Sequence, residues 1–107
     1  MSNAIYYVSY PLKKGASVPD FLLAAEKLNN EFISKQRGYV SWQQFRDGDI
    51  WADAITFETM DDLNNFKKVS DNPSELAEKF YSFMNLSPSL CRIHIFTVEK
   101  SYKLQRY

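Results

Sequence analysis

One carboxylate stands out by its position. In 51-WADAITF-57 strand alternation puts Trp51, Asp53, Ile55 and Phe57 on one side, and Ala52, Ala54 and Thr56 on the other. A carboxylate between Trp and Ile is costly unless something pairs it or a polar cavity opens beside it. Partial burial also raises its pKa toward neutrality, which is what a proton-abstracting base needs. Asp53 is therefore the first candidate catalytic residue. The alternative is that it accepts hydrogen bonds from a Gln or Tyr, or reaches water at a rim. His94, the only histidine, is the second candidate, because its ordinary pKa lies near neutral pH. Alternation groups it with Arg92, Phe96 and Val98, against Cys91, Ile93, Ile95 and Thr97. Arg92 is a candidate for holding an anionic or quinone-like oxygen. For both residues a structural, surface or interface role is the competing reading. Cys91 has no activating neighbour in sequence and reads as a small buried hydrophobe.

One His and one Asp are too few ligands for a zinc or iron site, and there is no glycine-rich phosphate loop. No metal and no cofactor is expected.

The elements that must position these residues follow from pattern. Residues 4–12, AIYYVSYPL, are β-branched and aromatic and end near Pro11, which marks a first strand. Ser17 caps a helix with Pro19 and Asp20 in its first turn. Its apolar face is Val18, Phe21, Leu22, Ala25, Leu28, Phe32 and Ile33, and it runs to about Lys35 before a C-terminal cap at Gly38. Two strands, 39–46 and 49–57, flank Asp47-Gly48, a hairpin signal with positive φ at both turn residues. That two-residue turn sets Trp42 opposite Asp53 and Gln44 opposite Trp51; a three-residue turn sets Gln43 opposite Asp53 instead. Trp42 is thus a candidate substrate-binding residue. Thr59 caps a second helix, with Asp62 at the capping-box position. Asp71-Asn72-Pro73 breaks that helix, and Ser74 caps a third with Leu76, Phe80 and Phe83 in line. Phe80, Tyr81, Phe83 and Met84 read as helix core that could also roof a pocket. A long strand over 90–102 closes the chain. Strand, helix, strand, strand, helix in two pieces, strand is the α+β, ferredoxin-like βαββαβ order, with a four-stranded antiparallel sheet.

Composition narrows the class. A chain of 107 residues makes one domain, here 1–107 with 103–107 as a tail. Thirteen basic residues balance thirteen acidic ones, so bulk charge recruits neither nucleic acid nor an anionic membrane. No apolar run reaches the roughly 20 residues of a membrane span, and no secretory signal opens the sequence. A lone cysteine fits a reducing, cytoplasmic setting. Aromatics at 16% suit a pocket, an oligomer interface or a dense small core.

The segments 11-PLKKGASVPDFLLAAEKL-28, 37-RGYVSWQQFRDGD-49 and 51-WADAITFETMDDLNNF-66, with the long last strand, resemble the dimeric α/β-barrel superfamily, nearest its antibiotic biosynthesis monooxygenase-like branch. The resemblance implies a homodimer in which two sheets form a barrel. Small Ala52 and Ala54 agree with a second sheet approaching, and residues 99–102 could reach onto the partner. It also implies a cavity between sheet and helices within each subunit, with Asp53 and Phe57 at the positions that commonly line it. The first strand would lie between the third and fourth, leaving Asp53 and His94 ~9–10 Å apart, a gap for a small ligand or a tyrosine. Tyr6 and Tyr10 are the candidates if Val8 faces inward, Tyr7 in the other phase; Tyr10 is taken as substrate-binding. Haem-degrading relatives carry a Trp where this chain has Phe57 and a histidine in the following helical segment, which residues 60–84 lack, so haem degradation is not expected.

Three readings follow. One is a cofactor-independent, monooxygenase-like enzyme acting on an aromatic or quinone-like molecule. Another is a non-catalytic ligand-binding or stress-related dimer. A structural dimer with a filled core is a third.

Overall fold

A computed structural model describes residues 2–103. The β-branched and aromatic run at the start forms β1, Ala4–Pro11. Helix α1, Val18–Glu31, begins where the Ser17 hydroxyl accepts the Asp20 N–H at 3.3 Å. It buries Phe21, Ala24, Ala25 and Leu28, whereas Leu22 is exposed. The helix stops at Glu31, and Ile33–Lys35 form a single 3-10 turn rather than its continuation. Strands β2, Tyr39–Asp47, and β3, Ile50–Phe57, form the expected hairpin. Helix α2, Met60–Ser70, is capped by Thr59, and α3, Glu75–Tyr81, by Ser74. The last strand, β4, covers Arg92–Thr97.

The four strands run in the order β2-β3-β1-β4, and every pairing is antiparallel, giving the α+β ferredoxin-like fold. Three details depart from expectation. The hairpin closes at Asp47↔Ile50, so the turn residues are Gly48 and Asp49, one position later than expected. Gly48 has φ +59° and among the described residues no non-glycine residue has positive φ, the requirement of a turn with glycine at its first central position. The shifted turn moves the pairing by two residues: Gln44, not Trp42 or Gln43, lies opposite Asp53. The final strand is also shorter than 90–102. Its one neighbour among the described residues, β1, begins at Ala4, which pairs with Thr97, and one more bond follows, from Val98 N–H to the Asn3 carbonyl. Beyond it no strand among the described residues is left to pair. Of the expected tail, 103–107, residues 104–107 lie outside the described residues.

Pairing fixes the faces. Ala4, Tyr6, Val8 and Tyr10 of β1 share the helix side with Trp51, Asp53, Ile55 and Phe57 of β3. The core sits there, around Phe21, Leu28, Phe57, Leu63, Phe66 and Phe80. The opposite face bears the exposed Phe45, Ile50 and Phe96.

Candidate functional site

Asp53 lies mid-way along the central strand β3 and is only 2% exposed. Val8 faces it from β1 and Gln44 from β2. Its hydrogen bonds come instead from the diagonal positions, two residues along each neighbouring strand, where only large side chains reach. Tyr10 is opposite Trp51, and its hydroxyl donates to Asp53 Oδ2 at 2.6 Å. Trp42 is opposite Ile55, and its indole N–H donates to Asp53 Oδ1 at 3.2 Å. Tyr10 is held edge-on against Phe21, and Trp42 edge-on against Phe80, which itself stacks on Phe21 at 5.2 Å. A connected aromatic cluster thus aims both donors.

Burial pushes the Asp53 carboxyl up to about 6, from the ordinary 3.8. Tyr10, Trp42 and Gln44 each pull it back by favouring the ionised form. Gln44 acts without a hydrogen bond of acceptable geometry: its buried Nε2 has no partner among the described residues. The Tyr10 hydroxyl is driven far above the usual tyrosine value, first by burial and then by the neighbouring carboxylate, so it remains a donor.

A cavity of about 330 Å³ opens beside this group, between the sheet and helices α2 and α3. Asp53, Trp42, Tyr6, Val8 and Ile55 form its floor. Phe80, Tyr81 and Met84 supply the roof anticipated for that segment, but Phe83 does not. The roof is pinned to the end of β1 by Lys13 N–H to the Phe83 carbonyl and Asn85 N–H to the Pro11 carbonyl, at 2.8 and 2.9 Å. Cys91, just before β4, and Ile93 form the β4 side, and Lys67 and Ser70 of α2 line another side with Asp71, the C-cap of that helix.

Of the sequence candidates, Asp53, Trp42 and Tyr6 meet at the cavity. Tyr10 reaches Asp53 but is wholly buried and does not line the space. Phe57 does not line it either, being packed at 5.1 Å against Phe66 in solid core. His94 and Arg92 are not brought to Asp53. Strand β4 pairs Tyr7 with His94 and Ser9 with Arg92, which puts both on the face away from the helices. There His94 lies between Tyr7 and Phe96, and the Arg92 guanidinium turns to the Ser89 and Cys91 carbonyls. Lys67, Ser70 and Asp71 were not singled out from sequence, although their i, i+3, i+4 spacing marks one polar helix stripe.

No family model and no curated protein matches this sequence. Solved structures do. SnoaB of Streptomyces nogalater, described as a cofactor-independent oxygenase, superposes with a TM-score of 0.70 at 11% identity, covering 94% of this chain and 97% of its own. A Bordetella bronchiseptica protein, provisionally described as an antibiotic biosynthesis monooxygenase, gives 0.68 at 14% identity over 97% and 100%. The ActVA-Orf6 monooxygenase of Streptomyces coelicolor, solved with nanaomycin D, gives 0.67 at 14% over 97% and 94%. The chain therefore has the ferredoxin-like fold of the antibiotic biosynthesis monooxygenase-like proteins. At these identities the likeness is one of fold. Among the described residues no helix is long and apolar enough to cross a membrane.

Proposed function

We propose that the protein binds a small aromatic or quinone-like molecule in this cavity, and that Asp53 serves there as a general base in a monooxygenase-like, cofactor-independent reaction. The observation that carries the reading is a buried carboxylate on the wall of an apolar cavity of ligand size, since small-molecule sites run from about 300 Å³ upward. Its pKa of about 6 leaves it ionised at neutral pH yet basic enough to accept a proton. Fold neighbours that include a cofactor-independent oxygenase agree with this chemistry.

The competing reading, a non-catalytic binder, draws on the two donors that already occupy Asp53. Dioxygen uptake with hydroxylated aromatics, in the unmutated protein and in Asp53→Asn, separates the two. Turnover that disappears in the variant even at ligand concentrations that saturate it supports the enzyme. Binding without uptake in either protein supports the binder, and absence of binding by every ring compound refutes both.

The same proposal includes a homodimer, with the exposed Phe45, Ile50 and Phe96 of the open sheet face covered by a second copy.

A further inference from the structure

Asp53 offers its two oxygens to different surroundings. Oδ2 is held by Tyr10, which is fully buried and does not line the cavity, while Oδ1 has only the longer bond from Trp42, itself part of the lining. We infer that Tyr10 is a positioning residue that ties Oδ2 into the core and leaves Oδ1 as the acceptor facing the ligand, so that the cavity selects ring compounds bearing a hydroxyl over those offering only an ether or carbonyl oxygen. This rests on the reading of the cavity as a small-molecule site.

The physical reason is that a carboxylate accepts hydrogen bonds and donates none. A ring hydroxyl can donate to Oδ1 beside the Trp42 N–H. An ether or carbonyl oxygen in the same place would face the carboxylate lone pairs with nothing between them, and would leave the buried acceptor desolvated. The remaining titratable side chains of the lining are Tyr6, Lys67, Asp71, Tyr81 and Cys91. Tyr6 and Tyr81, both raised mainly by burial, keep hydroxyls that either donate or accept and so do not discriminate.

Calorimetric titration with 2-naphthol and 2-methoxynaphthalene, which share a ring system and differ in the donor, tests the selection. At about pH 8 the naphthol is expected to bind about 10- to 100-fold more tightly, the range of a hydrogen bond to a charged acceptor. In Asp53→Asn the ratio falls toward one, because an amide both donates and accepts. The unmutated protein gives an independent arm: the preference weakens from about pH 8 to about pH 5, as Asp53 takes up its proton near 6. Tyr10→Phe should move the midpoint of the naphthol profile upward by about one unit, since the lost O–H favoured the carboxylate. A role for Tyr10 in packing alone would not move that midpoint. Equal affinities for the two compounds in the unmutated protein overturn the selection and leave the cavity reading standing. Binding of neither overturns both.

Discussion

Replacing Asp53 by Asn keeps the side-chain volume and removes the charge, so its effect on stability can be worked from the site. The native carboxyl titrates near 6 against an ordinary 3.8. At 1.36 kcal/mol per unit, that gap makes the ionised form cost about 3 kcal/mol in the folded state. With the residue 2% exposed, solvent does little to screen it. Because the native pKa is raised, the folded protein holds the proton more tightly. Stability from this group is complete below about 3.8 and is lost as pH rises through about 6. Between about pH 4.5 and about pH 8 the loss comes to about 2 kcal/mol. The Asn variant should lack this component, apart from a constant penalty of about 1–3 kcal/mol where its amide N–H2 confronts Trp42 or Tyr10. Urea unfolding of both proteins at the two pH values measures it. The difference in midpoint between them should change by about 1 M across that range, for a slope typical of a small domain. Identical pH dependence in the two proteins would falsify the account of Asp53 as a carboxylate held ionised against its surroundings.

Other expectations are simpler. Gly38 has φ +75°, and a Cβ there would collide with the Asp62 carboxyl, which accepts from Arg37 Nε at 2.7 Å. Gly38→Ala should destabilise by more than about 1 kcal/mol, read as a fall in Tm, and an unchanged Tm would contradict the close approach. Phe80 packs on Phe21 and on Trp42, so Phe80→Ala should cost about 3–5 kcal/mol by denaturant unfolding and weaken ring-ligand affinity through a looser Trp42. Phe45→Glu with Phe96→Glu places charge on the open sheet face. Sedimentation velocity should show a dimer reduced to monomer, and a monomeric unmutated protein would remove the homodimer from the proposal.

Helix starts and strand faces, which depend on local pattern, were legible in the sequence. The hydroxyls of Ser17, Thr59 and Ser74 accept the N–H groups of Asp20, Asp62 and Ala77, because helix capping involves residues only three apart. Alternation alone put Asp53 on the side of Trp51 and Ile55, and grouped His94 with Arg92 and Phe96. The element order then led to the fold. What alternation does not carry is the phase of one strand against another. The turn at Gly48-Asp49 slid the hairpin by two residues, which kept every face and replaced the expected partner of Asp53. Trp42 stayed in reach because an indole spans the diagonal. Pairing of β4 with β1 sent His94 to the far face, and the start of β1 ended β4 at Thr97. The cavity is the clearest product of tertiary structure. It exists because the ends of α2 and α3 and the approach to β4 converge over Asp53 from segments far apart in the chain, and their packing, which no local periodicity encodes, leaves the space unfilled.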